Sequence, residues 1–368
     1  MRRVVLVAAS FCLISGFAAL KGQPFPSPNI TQTAAGEPQT IHLDVLVKDK
    51  AGKLVTDIPE QAFAVFDNGQ PQKLISFTPV DTSSPNAVHV LIVVDMINPG
   101  YNSVTWGREQ LSEYLRQEGG SLSHRTSIAA MTEDGLKMMA GSSTDGNSLQ
   151  AEFQKIGTEQ RLVTQQAGWQ GLEQLYEQSL QQFSQILAIE QARPGRKLVL
   201  VISPGWPMLG WWGSQEDLQS LQRDFNIIVA LTNTIRDARV AIYRLDPFEL
   251  GGAHAGAQDP FYYQDFLKAV TNPKKATFPF LGLGVFAVHS GGRVLVTGHD
   301  IAGEIRAAMH DAGAYYELSY ATPPASEPNQ YHAIDVRVKL PGARVQTLSG
   351  YYADPLYVGS KSNTNKRH

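Results

Sequence analysis

The sequence predicts an α/β fold: a doubly wound, mainly parallel sheet with a composite β-sandwich-like domain built from its N- and C-terminal flanks. Three observations predict it. Nearly continuous apolar runs such as Val88 to Val94 suit strands buried on both faces. These runs alternate with amphipathic stretches long enough for helices, the pattern of repeated βα units. Towards both ends the apolar residues fall at every second position instead, as half-buried strands require.

Arg2 and Arg3 precede an apolar run, Val4 to Leu20. A basic start followed by an apolar stretch reads as a signal peptide over 1–22, which predicts a secreted or periplasmic protein. The alternative is an uncleaved anchor, the one route by which this chain would meet a membrane. The run is short for that, since a span takes about 20 apolar residues. Cys12, the only cysteine, lies inside the run, so the mature chain is expected to have no disulfide, thiolate metal site or cysteine nucleophile.

Residues 23–39 are rich in Pro, Thr, Ser and Gly and read as a linker. The first β part, 40–83, begins with Ile41, Leu43, Val45 and Val47 alternating with mostly polar residues. "FAVFDNGQPQKLISF" repeats the alternation around the hairpin signal Asp67-Asn68-Gly69.

The α/β unit is expected over 87–313. Its first strand ends in Asp95. A helix over Val104–Gln117 presents Leu111, Tyr114 and Leu115 on one side. "RTSIAAMT" and "LKMMAGSS" read as strands joined at Glu133-Asp134-Gly135. Trp169, Leu172, Tyr176, Leu180, Phe183 and Leu187 give Gln165–Gln191 a helical stripe. "RKLVLVIS" is the next buried strand. A helix over Glu216–Ile235 runs through Leu218, Leu221, Phe225 and Ile228, and "VAIYRLD" follows as a strand. Gly251–Pro279 is irregular. A helix over Phe280–His289, a last sheet strand in "GGRVLVTG" and a helix over Asp300–Asp311 complete the unit.

The second β part, 314–354, holds "YYELSYA" and "YHAIDVRVKL", where Ile334, Val336, Val338 and Leu340 alternate, and closes on "RVQTLSGYYA". Neither flank has enough strands to stand alone, so the two are expected to pair with each other. Residues 355–368 read as a polar, disordered tail. Apolar residues make up 43% of the chain, enough for a sizeable core, and charged residues only 18%. With a net charge of −3 and no basic stripe, nothing favours nucleic acid as a partner.

Three stretches resemble the von Willebrand factor A-related proteins abundant in acidobacteria. They are "VLVKDKAGKLVTDIPEQAFAVFDNGQPQKLISF", the core "VHVLIVVD … GRKLVLVISPGWP … SGGRVLV", and "YYELSYATPPASEPNQYHAIDVRVKLPGARVQTLSGYYA". The resemblance covers roughly Thr40 to Ala353 and implies an exported protein with a von Willebrand A domain over 87–313. It names a fold more firmly than a function.

It also implies where a metal would sit. Such domains bind a hard cation through an Asp-x-Ser-x-Ser loop after the first strand, a Thr from a second loop and an Asp after the fourth strand. Oxygen donors are what magnesium demands. Asp95 stands at the first position, but Ile97 and Pro99 occupy the two serine positions. Where the later Asp would stand, at the end of "LVLVIS", the chain reads Ser203-Pro204-Gly205. Thr144 and Thr164 are both open as the second-loop donor, and Asn98, Asn102 and Ser103 could rebuild a site through another loop shape. The reading is a vestigial site with Asp95 and Ser203 as remnants and no cofactor, against an alternative in which magnesium or manganese is bound. Asp95 is then expected to cap the first helix or to accept from nearby loop amides.

Three of the five tryptophans, Trp206, Trp211 and Trp212, fall in "SPGWPMLGWWGS" after a buried strand. That places them at the sheet's carboxyl edge, where open α/β sheets hold ligands. Aromatic loops anchor partners, although packing against the rest of the chain is an equal expectation, at least for one of them. The expected contact surface is Trp206, Trp211, Trp212, Asn98 and Asn102, with apolar area added by Ile97 and Pro99. Catalytic motifs are lacking: His289, His299 and His310 have no HExxH spacing, and there is neither a G-x-S-x-G elbow nor a P-loop. The expected function is an exported, non-enzymatic, adhesion-type protein that binds a protein partner. The alternatives are metal-dependent adhesion through Asp95 and a secreted hydrolase with a site between the domains.

Overall fold

The computed structural model describes residues 38–82, 87–98, 101–139, 141–157, 168–206, 217–247, 262–296 and 300–353. The expected signal peptide, most of the linker and the tail lie outside them. Among the described residues no helix is long and apolar enough to cross a membrane.

The flanks supply β1 (Thr40–Lys48), β2 (Phe63–Asp67), β3 (Gln70–Gln72) and β4 (Leu74–Val80) from one end of the chain. From the other come β12 (Tyr315–Ala321), β13 (Tyr331–Val338), β14 (Arg344–Gln346) and β15 (Gly350–Tyr352). Between them lie β5 (Val88–Asp95), α1 (Tyr101–Arg116), β6 (Ser121–Thr132), β7 (Gly135–Met138), β8 (Ser143–Asp145) and α2 (Gly146–Phe153). They are followed by α3 (Gly168–Gln191), β9 (Arg196–Ile202), α4 (Leu218–Asp237), β10 (Val240–Leu245), α5 (Leu283–His289), β11 (Arg293–Leu295) and α6 (Ile301–His310).

The central sheet has the order β11-β10-β9-β5-β6-β7, with β8 also on β6. It is parallel from β11 to β6, and β7 and β8 run antiparallel to β6. Why β5 reads as a continuous apolar run is now visible. Leu91 and Val93 pack with α3, α4 and α5, while Val90, Ile92 and Val94 pack with α1, α2 and α6. Both faces are covered, so the one polar position before Asp95 is His89, near the start of the strand, whose ring is satisfied by Glu190 and Ser127. Gly292 is required by contact: a Cβ there would lie 1.8 Å from the carbonyl oxygen of Ile242.

The strands of the two flanks do pair with one another. β12 lies between β1 and β4, running from Thr40↔Ala321 to Val45↔Tyr316 on one side and from Tyr315↔Val80 on the other. β13 pairs β2 through Ile334↔Asp67 to Val338↔Phe63. These are two four-stranded antiparallel sheets, β14-β1-β12-β4 and β15-β13-β2-β3. Ile41, Leu43 and Val45 of one share a hydrophobic cluster with Val65, Ile334 and Val336 of the other.

Several local expectations need correction. The helix expected from Phe280 begins at Leu283, because Pro279 lies in a separate 3-10 turn, Phe278–Leu281. Leu218, placed in an apolar stripe, is 72% exposed at the first turn of α4. Leu340 lies beyond the end of β13 and is 37% exposed. β8 and α2 were unanticipated. Trp169 and Leu172 have side chains outside the described residues.

Candidate functional site

Strand order reverses beside β5: the chain proceeds from β5 to β6 on one side, then returns to β9 on the other. The carboxyl ends of β5 and β9 therefore flank a topological switch point, where open α/β sheets leave a crevice. Asp95 ends β5 and Ser203 follows β9, 108 positions later in the chain and in direct contact.

Asp95 is 1% exposed. Its Oδ1 accepts the backbone N–H groups of Ile97 at 2.9 Å and Asn98 at 3.1 Å. Its Oδ2 accepts the Asn98 side-chain amide at 2.8 Å and the Ser203 hydroxyl at 2.6 Å. The loop folds back on its own carboxylate, as expected of Asp95 acting on nearby loop amides. The Asn98 amide also donates to Ser179 Oγ at 2.9 Å, and Ser179 donates to the Leu175 carbonyl within α3. Ser203 Oγ in turn accepts the N–H of Gly205 at 2.9 Å. Gly205 has φ +97°, a turn that glycine allows without strain. All these donors are neutral. Burial pushes the Asp95 carboxyl above its ordinary value, and hydrogen bonds from Ser203, Asn98 and Ile97 pull it part of the way back.

The donor set does not fit a hard divalent cation. Both carboxylate oxygens are engaged by protein donors, and Ile97, at a serine position, is 2% exposed within the core facing α3. Asn98 offers Asp95 an N–H where a metal site would offer a cation. Thr144 lies on β8, which pairs β6 between Ser121 and Thr126, away from the carboxyl end at Met131. It cannot serve as the second-loop donor from there. Pro99, Thr164, Trp211 and Trp212 lie outside the described residues.

The expected contact surface also changes. Trp206 is 2% exposed and packs edge-on against Phe183 of α3, with ring centroids 5.7 Å apart. Its carbonyl accepts the N–H of Leu283. It closes the core over α3 and presents no surface. Asn98, 4% exposed, is likewise interior because its amide is spent on Asp95 and Ser179. Asn102, on α1, is exposed.

Two residues that the sequence reading passed over complete this edge. Arg244 and Asp246, 5% and 3% exposed, form a buried ion pair at the end of β10. The Arg244 guanidinium lies beneath Gly205, where a Cβ would sit 3.4 Å from it. The signal was the pair of charges in "YRLD", at the close of an otherwise apolar strand.

No family model matches the chain, and no curated protein matches it in sequence. Among solved structures, it is similar to the manganese-loaded TRAP protein of Plasmodium vivax. That match has 11% identity and a TM-score of 0.31, covering 74% of this chain and 96% of that one. The pilus adhesin SpaC from Lactobacillus rhamnosus GG matches at 10% identity and a TM-score of 0.31, over 84% of this chain and 48% of that one. The SpRpn10 VWA domain matches at 9% identity and a TM-score of 0.22, over 44% and 75%. Likeness at these scores carries no functional weight.

Proposed function

We propose that the chain is an exported, non-enzymatic protein-binding module. On this reading its α/β unit is a von Willebrand A-type domain whose metal loop has been rewired into an internal hydrogen-bond network. The strand order, with short antiparallel strands β7 and β8 beyond β6 and the switch point beside β5, supports that domain type. The flanking sheets would act as a sandwich-like platform beneath it. The observation that carries the rewiring is the Asp95 carboxylate, which holds four protein donors and is 1% exposed. A cation would have to break those bonds as well as shed its own water. On this reading the adhesion role without metal falls to Asn102, exposed on α1, and to Trp211 and Trp212, which fall between β9 and α4 in the sequence.

The test is capture of partners from the envelope fraction of the native host, with chelator or with magnesium. Retention of the same partner in both conditions is expected. Trp211→Ala or Trp212→Ala should weaken it by about 1–3 kcal/mol, the usual cost of losing an aromatic anchor. Release by chelator, restored by magnesium or manganese, would instead support metal-dependent adhesion.

A further inference from the structure

The opposite, amino edge of the central sheet gathers three cations, Lys48, Arg293 and Arg196, around Asp311. Asp311, 1% exposed, is held by Lys48 at 2.6 Å and Arg293 at 3.0 Å, and it accepts the Tyr243 hydroxyl at 3.0 Å. Arg196, the first residue of β9, is 2% exposed. Its Nη1 donates to the Asp311 backbone carbonyl at 2.6 Å, and its guanidinium lies 5.2 Å from the centre of the Tyr315 ring. Its Nη2 is buried and has no hydrogen-bond partner among the described residues. No carboxylate among them forms an ion pair with Arg196.

Arg196 lines a cavity of about 30 Å³ where β1 crosses the starts of β9 and β10. A single water needs only about 10–15 Å³ on this measure. Arg236 and Arg239 also line it, and the one carboxylate in the lining is Asp44. Asp44 is already committed to Arg239, which holds Glu317 as well, at 2.9 Å. Arg236 pairs with Asp237 at 2.8 Å. The cation without an acidic partner is thus the most deeply buried one.

Burying a guanidinium without a counter-anion is unfavourable, and its planar fork matches oxyanions. We propose that this cavity binds a small tetrahedral oxyanion, of phosphate or sulfate type, at the seam between the flanking sheet and the central sheet. The ion pairs with Arg196 and accepts further hydrogen bonds from Arg236 and Arg239. Since it touches both β1 and the β9–β10 edge, its binding favours the docked arrangement of the two sheets. The site lies at the edge opposite Asp95, so it stands or falls independently of partner binding there.

The experiment is thermal unfolding of the full chain in phosphate, sulfate or chloride at matched ionic strength, with equilibrium dialysis of labelled phosphate and sulfate. A higher melting temperature in at least one oxyanion is expected, with saturable binding near one ion per chain. Arg196→Gln should abolish the binding. His42→Glu adds a carboxylate at the rim, where the His42 side chain is 47% exposed, and should weaken it at least about fivefold by like-charge repulsion. If Arg196→Gln does not fold, His42→Glu decides. Equal melting in oxyanion and chloride, or affinity unchanged in the folded variants, would overturn the proposal.

Discussion

Asp95 and Asp311 make an instructive pair. Both are 1% exposed, and both stand where an element of the α/β unit ends. Asp95, at the carboxyl edge, is held by neutral donors alone: two backbone amides, one side-chain amide and one hydroxyl. Asp311, at the amino edge, is held by Lys48 and Arg293. Burial acts on both, but the outcome differs in sign. Asp95 ends above the ordinary carboxylate value. Burial would raise Asp311 too, but the charges of Arg293 and Lys48 outweigh it and hold its carboxyl below that value. The seam between the two sheet systems is therefore a charged latch, whereas the loop edge is a neutral, self-satisfied turn. A turn of that kind costs less to lose than a latch.

The largest test of the contrast removes the seam's far side. Deleting Tyr315 to Ala353 takes away β12, β13, β14 and β15, and with them the pairing of β1, β2 and β4. Amides from Ile41 to Phe77 should lose their protection in hydrogen exchange. Protection that survives would mean that the N-terminal strands are stable without their C-terminal partners.

Next in size is Asp311→Ala, which leaves the largely buried Lys48, and beside it the partly exposed Arg293, without their carboxylate. A loss of about 3–5 kcal/mol is expected in urea unfolding. Asp95→Ala leaves neutral donors unsatisfied instead, at about 1–3 kcal/mol. If Asp95→Ala proves the costlier of the two, the ranking of latch over turn is wrong.

The smallest effect is a pH dependence of opposite sign at the two sites. A carboxyl held below its unfolded value stabilises the fold above the unfolded value, and that stability is lost as pH falls through the folded one. Asp311 follows this course, so the advantage of the unmodified chain over Asp311→Asn should shrink on acidification below the ordinary carboxylate range. Asp95 runs the other way. Its contribution is best at low pH and is lost as pH rises through the raised folded value, so the chain should gain on Asp95→Asn as pH falls. Urea unfolding at several pH values measures both slopes, and parallel slopes would refute the assignment.

Much of the fold was legible because it depends on local pattern. The nearly continuous apolar runs located β5, β9 and β10, and the stripe Tyr176, Leu180, Phe183 and Leu187 located α3. The short α2 was not legible. Its buried apolar side chains are Leu149 and Phe153 alone, too few to show a period, although the Asp145 cap that starts it was present in the sequence. At the candidate site, Asp95 and Ser203 could be placed because each closes a strand readable by itself. The burial of Asn98 and Trp206 could not, since it depends on Ser179 and Phe183, whose orientation is set by how α3 rotates against the sheet. The Lys48–Asp311 latch joins residues distant in sequence, and no spacing announces it.

The central claim is that the loop after β5 satisfies Asp95 internally and has no use for a divalent cation. It is tested most directly by thermal unfolding of the chain and of Asp95→Ala with chelator, with millimolar magnesium and with millimolar manganese. The account predicts one melting temperature for each protein in all three conditions, lower for the variant. A melting temperature that rises by several degrees with either cation, and no longer does so in Asp95→Ala, would contradict it.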